Sequence, residues 1–227
     1  YAKAWTAKKI FLIFSNYIDD IIGVSNIGIN RLKRYFGRDV NYHVIPLMAQ
    51  DELIIDFTKI KRNNDLIKFI YIGSHDKSRE LSVVIDSILL SKPSKRCQFD
   101  FYGGTVFERK QLKEKIRDKQ KGNSQSVQIR FFEKLSRRNI IEVMKSYDVG
   151  ICLIPPKEIY LESSPTKMSE YGSQGLAIIG NKEILSIREY IKLSNSGYLC
   201  SFELKSISKQ IEYIAQDNIY RKKINAY

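Results

Sequence analysis

Residues 155–179 read PPKEIYLESSPTKMSEYGSQGLAII, a loop, a helix and a strand in one run. Pro165 suits the first position of a helix, because its ring fixes φ and its missing N–H has no partner there in any case. Ser163 and Ser164 are residue types that cap helices, and Gly175 is a common residue just beyond a helix end. The apolar residues that follow predict a buried strand, so the stretch indicates an α/β unit.

The same alternation of helix and strand runs through most of the chain. Short apolar runs closed by turn residues predict strands at Asp20–Val24, Tyr42–Ile45, Ile67–Ile72, Gln98–Tyr102, Val127–Phe131, Val149–Ile154, Ala177–Ile179 and Gly197–Cys200. Helical periodicity predicts helices at Ala4–Asn16, Asn26–Phe36, Ser78–Leu90, Phe107–Lys119, Arg137–Tyr147, Thr166–Gln174, Ile184–Ile191 and Lys205–Asp217. Apolar strands separated by helices are typical of a parallel sheet that is covered on both faces. We therefore expect an α/β fold with a doubly wound, Rossmann-like parallel sheet.

The chain is expected to contain parts of two domains. Residues 1–46 predict one and a half β–α units, too few to bury both faces of a parallel sheet, which indicates the truncated tail of a preceding Rossmann-like domain. Residues 47–65 lose clear periodicity and suit a crossing between domains. Residues 66–227 then form the second Rossmann-like domain. Tyr1 in place of Met agrees with a piece of a longer protein.

Composition narrows the class of protein. The chain has 227 residues, of which 43% are hydrophobic, and its apolar runs are too short to cross a bilayer. Three widely spaced cysteines and two histidines argue against a disulfide framework and a zinc site, so we expect reduced thiols, no metal and no cofactor in a cytoplasmic protein. The net charge of +13 favours an anionic partner: a nucleic acid, a membrane surface or a phosphorylated small molecule. The cations are spread along the chain, which is more typical of solvated helix faces than of a nucleic-acid patch.

Candidate binding residues follow the strands, because ligands of such sheets bind beyond the carboxyl ends of the strands. The first strand of the second domain is followed by Gly73, Ser74 and His75, with Arg79 near the start of the next helix. Backbone N–H groups and cations at that point would favour a phosphate. Gly103 follows the second strand and would let backbone approach a ligand. Each of these features is also typical of an ordinary turn before a capped helix.

The helix after Pro165 is the richest candidate. Its N-terminal N–H groups would cradle a diphosphate, with the Ser164 and Thr166 hydroxyls and the Lys167 cation alongside. Glu170, placed near the end of the second turn, could accept hydrogen bonds from two sugar hydroxyls. Composition alone would assign Glu170, and Glu162 in the loop before it, to the solvated surface.

Glu162 and Glu170 are separated by seven residues, and the second is followed by YGSQGLAII at 171–179. This pattern resembles the donor-site signature of glycosyltransferase family 4, whose members have the GT-B fold. The resemblance continues in order along the chain. DDIIGVS at 19–25 resembles the last strand of the family's N-terminal domain, and YIG at 71–73, FDFYGG at 99–104 and YDVGI at 147–151 resemble successive strands of its C-terminal domain.

The resemblance implies a retaining glycosyltransferase that moves a sugar from a nucleoside-diphosphate-sugar donor to an acceptor hydroxyl in glycan or glycolipid biosynthesis. It implies that Glu170 binds the donor ribose and that Glu162 faces the transferred sugar. Arg79 and Lys167 would stabilise the charge on the departing diphosphate. Ser74 stands where many family members carry another cation, and the expected donor-binding residues are completed by Gly73, Ser74, His75, Gly103, Ser163, Ser164, Pro165 and Thr166.

Residues 66–227 are accordingly expected to be the nucleotide-sugar-binding domain, inactive without the rest of a second domain. The alternative is a non-enzymatic nucleotide-binding module or a basic nucleic-acid-binding module, since a doubly wound sheet alone fixes neither. The acceptor, a sugar or a glycolipid, is not identified by the sequence. We expect no specific nucleic-acid partner, and peripheral association with the inner face of a membrane is a further expectation.

Overall fold

The computed structural model describes residues 9, 13, 14, 17–34, 40–45, 65–119, 126–161 and 163–216. The strands are β1 (Asp20–Gly23), β2 (Asn41–Val44), β3 (Leu66–Ile72), β4 (Arg96–Tyr102), β5 (Val127–Phe132), β6 (Val149–Cys152), β7 (Ala177–Asn181) and β8 (Gly197–Cys200). The helices are α1 (Asn26–Lys33), α2 (Leu81–Leu90), α3 (Val106–Lys119), α4 (Arg137–Met144), α5 (Glu158–Leu161), α6 (Lys167–Ser173), α7 (Leu185–Ser194) and α8 (Leu204–Gln216). A 3₁₀ turn covers Lys77–Arg79.

Six strands form one parallel sheet in the order β5-β4-β3-β6-β7-β8. The chain moves outward from β3 through β4 to β5, then returns to the other side of β3 and moves outward again through β6, β7 and β8. The point where the direction reverses lies between β3 and β6. The expected doubly wound α/β fold is confirmed, and the reversal point is where such sheets hold ligands. A separate parallel pair joins β1 to β2.

Side chains alternate between the two faces of each strand, so one strand contributes to an apolar cluster on each face of the sheet. Ile67, Phe69 and Tyr71 of β3 belong to one apolar cluster, whereas Ile70 belongs to the other. Helices α2 and α8 pack together over the first face. Phe69 stacks on Phe99 of the neighbouring strand, with 4.4 Å between ring centroids. Burial on both faces explains why the fully buried strands β6 and β7 are apolar without alternation in the sequence.

The pairing between neighbouring strands is shortest at the reversal point. Strands β3 and β6 share two residue pairs, Phe69 with Val149 and Ile70 with Gly150. Asp148 extends this short pairing, because its backbone N–H donates to the Lys68 carbonyl at 2.9 Å and its carboxylate accepts from the Lys68 N–H at 2.8 Å. We call this junction between β3 and β6 the seam.

Among the differences from the predicted elements, three affect the candidate site. The helix predicted at Ser78–Leu90 is interrupted at Glu80, whose φ of 47° lies in the left-handed region, so that a 3₁₀ turn precedes α2. The strand predicted at Val149–Ile154 ends at Cys152, and the short helix α5 was not predicted. The prediction that Pro165 opens α6 was wrong, because Thr166 is the N-cap residue and the helix begins at Lys167.

Two predicted segments lie mostly outside the described residues. Of the helix predicted at Ala4–Asn16, Lys9, Ile13 and Phe14 are described, and all three are helical. Of the crossing predicted at 47–65, only Asp65 is described. The domain boundaries at 46 and 66 therefore stay a prediction.

Candidate functional site

A cleft of about 570 Å³ opens at the carboxyl ends of β3, β4 and β5. Its apolar lining residues are Ile72, Tyr102, Leu135 and Ile140. Its remaining lining residues are glycines and polar residues: Gly73, Ser74, Gly103, Gly104, Thr105, Glu108 and Lys134. Apolar side chains together with a few polar groups are the usual lining of a small-molecule site.

Two glycines bring the loops after β3 and β4 into contact. The Gly73 N–H donates to the Tyr102 carbonyl at 2.9 Å. A Cβ on Gly103, whose φ is 123°, would lie 2.1 Å from the Gly73 carbonyl oxygen. No side chain fits at that position, so glycine is required for the close approach. The two predicted glycine turns therefore form one wall of the cleft.

His75 lies beneath this wall. Its side chain is buried, with 5% of the residue exposed, beside the rings of Tyr71, Phe101 and Phe131. A Cβ on Gly104 would lie 2.5 Å from the imidazole. Burial lowers the pKa of His75 from 6.5 to about 4, so the ring is neutral at physiological pH. Neither ring nitrogen has a hydrogen-bond partner among the described residues.

Ser74 is exposed, and its contacts fix the turn after β3. Its hydroxyl bonds to the Asp76 carboxylate and accepts the Asp76 N–H at 3.2 Å, while its carbonyl accepts the Tyr71 hydroxyl at 2.9 Å. The Asp76 carboxylate also caps the 3₁₀ turn by accepting the Ser78 N–H at 2.8 Å. Hydrogen bonds from Ser74 and Ser78 hold the pKa of Asp76 below its usual range. The turn is therefore built by local side-chain to backbone bonds.

Lys167, the first residue of α6, reaches across to this turn. Its Nζ lies 4.7 Å from the centroid of the Tyr71 ring, and a Cβ on Gly73 would come within 2.6 Å of Nζ. Burial, together with the charge of Arg79, lowers the pKa of Lys167. The tertiary structure thus places an ammonium group directly over the glycine at the end of β3.

Arg79 ends the 3₁₀ turn, and its guanidinium lies over the ring of Tyr160 in α5, 5.0 Å from the ring centroid. Its Nε is buried and has no hydrogen-bond partner among the described residues. Two of the predicted cations therefore border the turn after β3: Lys167 lies over Gly73, and Arg79 ends the 3₁₀ turn that follows.

The remaining predicted residues belong to the segment before α6 and to α6 itself. Glu170 lies in the first turn of the helix, earlier than predicted, and is half-buried. Ser163 directs its hydroxyl to the Tyr160 carbonyl at 2.7 Å. Ser164 and Pro165 are half-buried and Thr166 is exposed, in that order before the helix. Glu162 lies outside the described residues. Because α6 has only seven residues, its N-terminus is a weaker attraction for an anion than the two cations.

Tyr171 fixes α6 against the seam. Its hydroxyl accepts the Ile72 N–H at 3.2 Å and donates to the Ile151 carbonyl at 3.4 Å. The ring fits because Gly150 has no side chain: a Cβ there would lie 2.3 Å from the ring. Tyr171 thus links β3 and β6 beyond their last paired residues, and it sets the position of Lys167 and Glu170 on the same helix.

Several residues of the site were not predicted from the sequence. Tyr102, Lys134, Leu135 and Ile140 line the cleft, and the Arg109 guanidinium donates to the carbonyls of Gly103 and Gly104 at 3.2 and 2.7 Å. Lys134 and Leu135 follow β5, in the loop after Phe131 that the rule for ligands of such sheets does select, although neither residue was singled out there. Nothing in the local sequence distinguishes the other three from ordinary packing residues.

Two kinds of site have no support within the described part of the chain. No group of three or more His, Cys, Asp or Glu side chains there is arranged to hold a metal ion. No described helix combines the length and apolar character that crossing a bilayer requires.

The sheet and its cleft define a Rossmann-like domain of the kind found in GT-B glycosyltransferases. The sequence profile of the family described as glycosyl transferases group 1 matches residues 54–227. The chain therefore belongs to that family. A sequence search of curated proteins finds no match.

Three solved structures illustrate the similarity of fold. WaaG, a glycosyltransferase involved in lipopolysaccharide biosynthesis, aligns with a TM-score of 0.69 at 14% identity over 90% of this chain. Anabaena Alr3699/HepE in complex with UDP aligns with a TM-score of 0.68 at 15% identity over 97%. The catalytic domain of cholesterol-alpha-glucosyltransferase from Helicobacter pylori aligns with a TM-score of 0.55 at 17% identity over 70%, covering 92% of that chain. The present chain spans 56% of WaaG and 61% of HepE.

Proposed function

We propose that this chain carries the donor site of a retaining glycosyltransferase, which transfers a sugar from a nucleoside-diphosphate sugar to an acceptor hydroxyl in glycan or glycolipid biosynthesis. The observation that supports it best is the position of Lys167, whose Nζ lies over Gly73 at the point where the strand order reverses, with Arg79 at the end of the turn that follows this glycine. Family membership agrees with this choice, as does the similarity in fold to an enzyme solved with UDP.

The electrostatics favour a diphosphate as the occupant. Neither Lys167 nor Arg79 forms an ion pair with a described carboxylate, and burial lowers the pKa of Lys167. A partly buried cation that is paired with none of the described carboxylates favours an anion bound beside it. A diphosphate offers enough negative charge to interact with both cations, and the charge grows when the sugar departs.

Each predicted residue then has a place in the proposed site. Lys167 and Arg79 stabilise the departing diphosphate, and backbone from Ser163 to Thr166, including Ser164 and Pro165, lies along it. Glu170 binds the ribose and Glu162 faces the transferred sugar. The nucleoside base occupies the cleft beside Tyr102 and Leu135, with Gly73, Ser74 and Gly103 along its wall. His75 acts indirectly, because it is buried beneath Gly104.

Catalysis would consist of binding, orientation and charge stabilisation. The bond between the anomeric carbon and the diphosphate oxygen breaks, the acceptor oxygen bonds to the same face of that carbon, and the proton of the acceptor hydroxyl passes to the departing diphosphate. Fixed cations already aimed at the leaving group need no reorganisation during this step, which is why preorganised charge lowers the barrier. No metal or other cofactor is needed in this scheme.

The whole enzyme extends beyond the donor domain. We propose that residues 66–227 form the donor domain, that residues 47–65 cross between domains and that residues 1–46 are the tail of an N-terminal domain which supplies the acceptor site. The fragment alone would then bind donor without transferring sugar. A cytoplasmic location with peripheral membrane association is part of the same proposal.

Equilibrium binding tests the proposal directly. Titration calorimetry of the chain with UDP, GDP, ADP and dTDP should show binding of at least one nucleoside diphosphate. Lys167→Met should weaken that binding roughly tenfold, as expected for loss of one charge-assisted hydrogen bond. Lys145→Met is the matched control, because Lys145 pairs with Glu142 on the surface and should not affect binding. Absence of any nucleoside-diphosphate binding would contradict the proposal, and salt-dependent binding of polynucleotide that ignores Lys167 would favour the nucleic-acid module.

Substitutions of the two glutamates test the nucleotide contact and the sugar contact separately. Glu170→Gln removes an anionic acceptor for the ribose hydroxyls and should cost about 1.5 to 3 kcal/mol of nucleoside-diphosphate affinity. Glu162→Gln should leave nucleoside-diphosphate binding unchanged and weaken only the added affinity of the sugar conjugate. Equal, small effects of both substitutions on both ligands would show that Glu162 and Glu170 are solvated surface residues without a role in donor binding.

A further inference from the structure

Arg79 is held by a residue from a different loop. It belongs to the turn after β3, whereas Tyr160, whose ring lies under its guanidinium, belongs to α5 after β6. The two elements lie on opposite sides of the seam. The position of Arg79 therefore depends on how α5 is attached to the 3₁₀ turn.

The attachment has two further contacts, one on each side of Arg79. The Tyr160 hydroxyl bonds to the Ser78 hydroxyl at 3.0 Å. Lys157 Nζ pairs with the Glu80 carboxylate at 2.7 Å and donates to the Ser78 carbonyl at 3.2 Å. Both neighbours of Arg79 in the chain are thus fixed by the segment 157–160.

Glu80 makes this turn a rigid one. Its φ of 47° is an unfavourable conformation for a residue with a side chain, and it persists because the surrounding contacts determine it. The left-handed residue ends the 3₁₀ turn directly after Arg79 and starts α2 in a new direction. The Cα of Arg79 is therefore fixed by backbone geometry, and the ring of Tyr160 is the described group that orients its guanidinium.

An aromatic ring suits this task better than a carboxylate would. A ring attracts the guanidinium through its face and leaves the N–H groups at the guanidinium edge available. A carboxylate would occupy those N–H groups and neutralise the charge, so it would compete with a phosphate. The Tyr160 ring orients Arg79 without using the hydrogen bonds that a diphosphate needs.

We infer that Tyr160 is a positioning residue, which holds the Arg79 guanidinium toward the phosphate groups of the donor. The inference rests on the proposed function, since it assigns Tyr160 a task in that same site. It predicts that loss of the ring weakens binding of a nucleoside diphosphate much more than binding of the matching monophosphate, because only the additional phosphate depends on Arg79.

Titration calorimetry with UDP and UMP, or with GDP and GMP if the wild-type chain prefers guanine, measures this difference. Tyr160→Leu should lower diphosphate affinity about fivefold and leave monophosphate affinity within about twofold. Tyr160→Phe keeps the ring and should bind both ligands within about twofold of the wild type. Tyr213→Leu replaces a half-exposed tyrosine in α8, paired with Tyr198, and is the control for loss of a tyrosine elsewhere.

A double-mutant cycle with Arg79→Met identifies the route of the effect. In the Arg79→Met background, Tyr160→Leu should cause no further loss of diphosphate affinity, because the group it positions is gone. Additive losses, a Tyr160→Leu chain with an unchanged ratio of diphosphate to monophosphate affinity, or a Tyr160→Phe chain as weak as Tyr160→Leu would each overturn the inference. If the wild-type chain binds no nucleoside diphosphate, the proposed function fails first and the inference falls with it.

Discussion

The two halves of the six-stranded sheet differ in length and in what their loops supply. Strands β3 and β4 share seven residue pairs and β4 and β5 share six, whereas β6 and β7, and β7 and β8, share four each. The longer half carries the glycine turns and most of the cleft. The shorter half is followed by α5 and α6, which place Tyr160 and Lys167 over the longer half. The candidate site therefore needs both halves.

The difference shows how the halves are joined. Only two residue pairs connect β3 with β6, and the junction is extended at one end by Asp148 and at the other by the Tyr171 hydroxyl. Because Tyr171 and the candidate residues Lys167 and Glu170 share one helix, the group that closes the seam also positions the site. Substitutions in the glycine turns should destabilise the longer half, and substitutions in α6 should weaken the junction at the seam.

The largest effect is expected at the glycine contact of the longer half. Gly103→Ala places a Cβ 2.1 Å from the Gly73 carbonyl oxygen, which is backbone and cannot move aside, and it adds the strain of a positive φ. We expect a loss of at least about 3 kcal/mol in the free energy of unfolding, measured by urea denaturation.

Gly73→Ala is the matched control for that experiment. Its Cβ meets the Lys167 Nζ, the end of a flexible side chain, so the steric cost is smaller than at Gly103, although the φ of 157° adds strain here too. The expected stability loss is about 1 to 2 kcal/mol. The displaced Lys167 should nevertheless reduce nucleoside-diphosphate binding. Equal stability losses at the two glycines would contradict the distinction between a backbone contact and a side-chain contact.

A smaller effect is expected at the seam. Tyr171→Phe leaves the Ile72 N–H and the Ile151 carbonyl without their side-chain partner, which should cost about 2 kcal/mol of unfolding free energy. Hydrogen exchange of the Ile72 amide should also become faster. Tyr213→Phe, in a half-exposed tyrosine far from the seam in sequence, should be neutral. An unchanged Ile72 exchange rate would show that the hydroxyl does not close the seam.

The smallest expected effect is the pH dependence of stability that comes from His75, a residue of the longer half. The unfolded chain takes up a proton on His75 near its ordinary pKa of 6.5, whereas the folded chain does so only near 4. Between these values the unfolded state binds more protons, so stability falls as the pH drops from 6.5 to 4 and levels off below 4. At pH 5 the loss should be about 1 kcal/mol, after allowance for solvent screening. The measurement is the unfolding free energy from urea denaturation at pH 7 and at pH 5. His75→Leu should remove the His75 contribution to the difference between these two values. An unaltered difference would contradict a buried, neutral imidazole.

Local patterns in the sequence explain why much of the fold was predicted. All six strands of the main sheet were found because short apolar runs such as Ile67–Ile72 end in turn residues. The interruption at Glu80 was missed, because a left-handed glutamate has no local signal and is fixed by contacts with Lys157. The end of β6 at Cys152 was missed because Leu153 and Ile154 are buried like strand residues.

The sequence by itself determined the α/β class, the order of the elements and the main segments that line the cleft. These follow from periodicity, turn chemistry and the family signature, all of which are carried by residues close together in the chain. Only the tertiary structure decided that Lys167 lies over Gly73, that Arg79 lies on Tyr160 and that His75 is buried. Such contacts join residues that are tens of positions apart, and they depend on the order of strands in the sheet and on the narrow seam between β3 and β6, which no local pattern specifies.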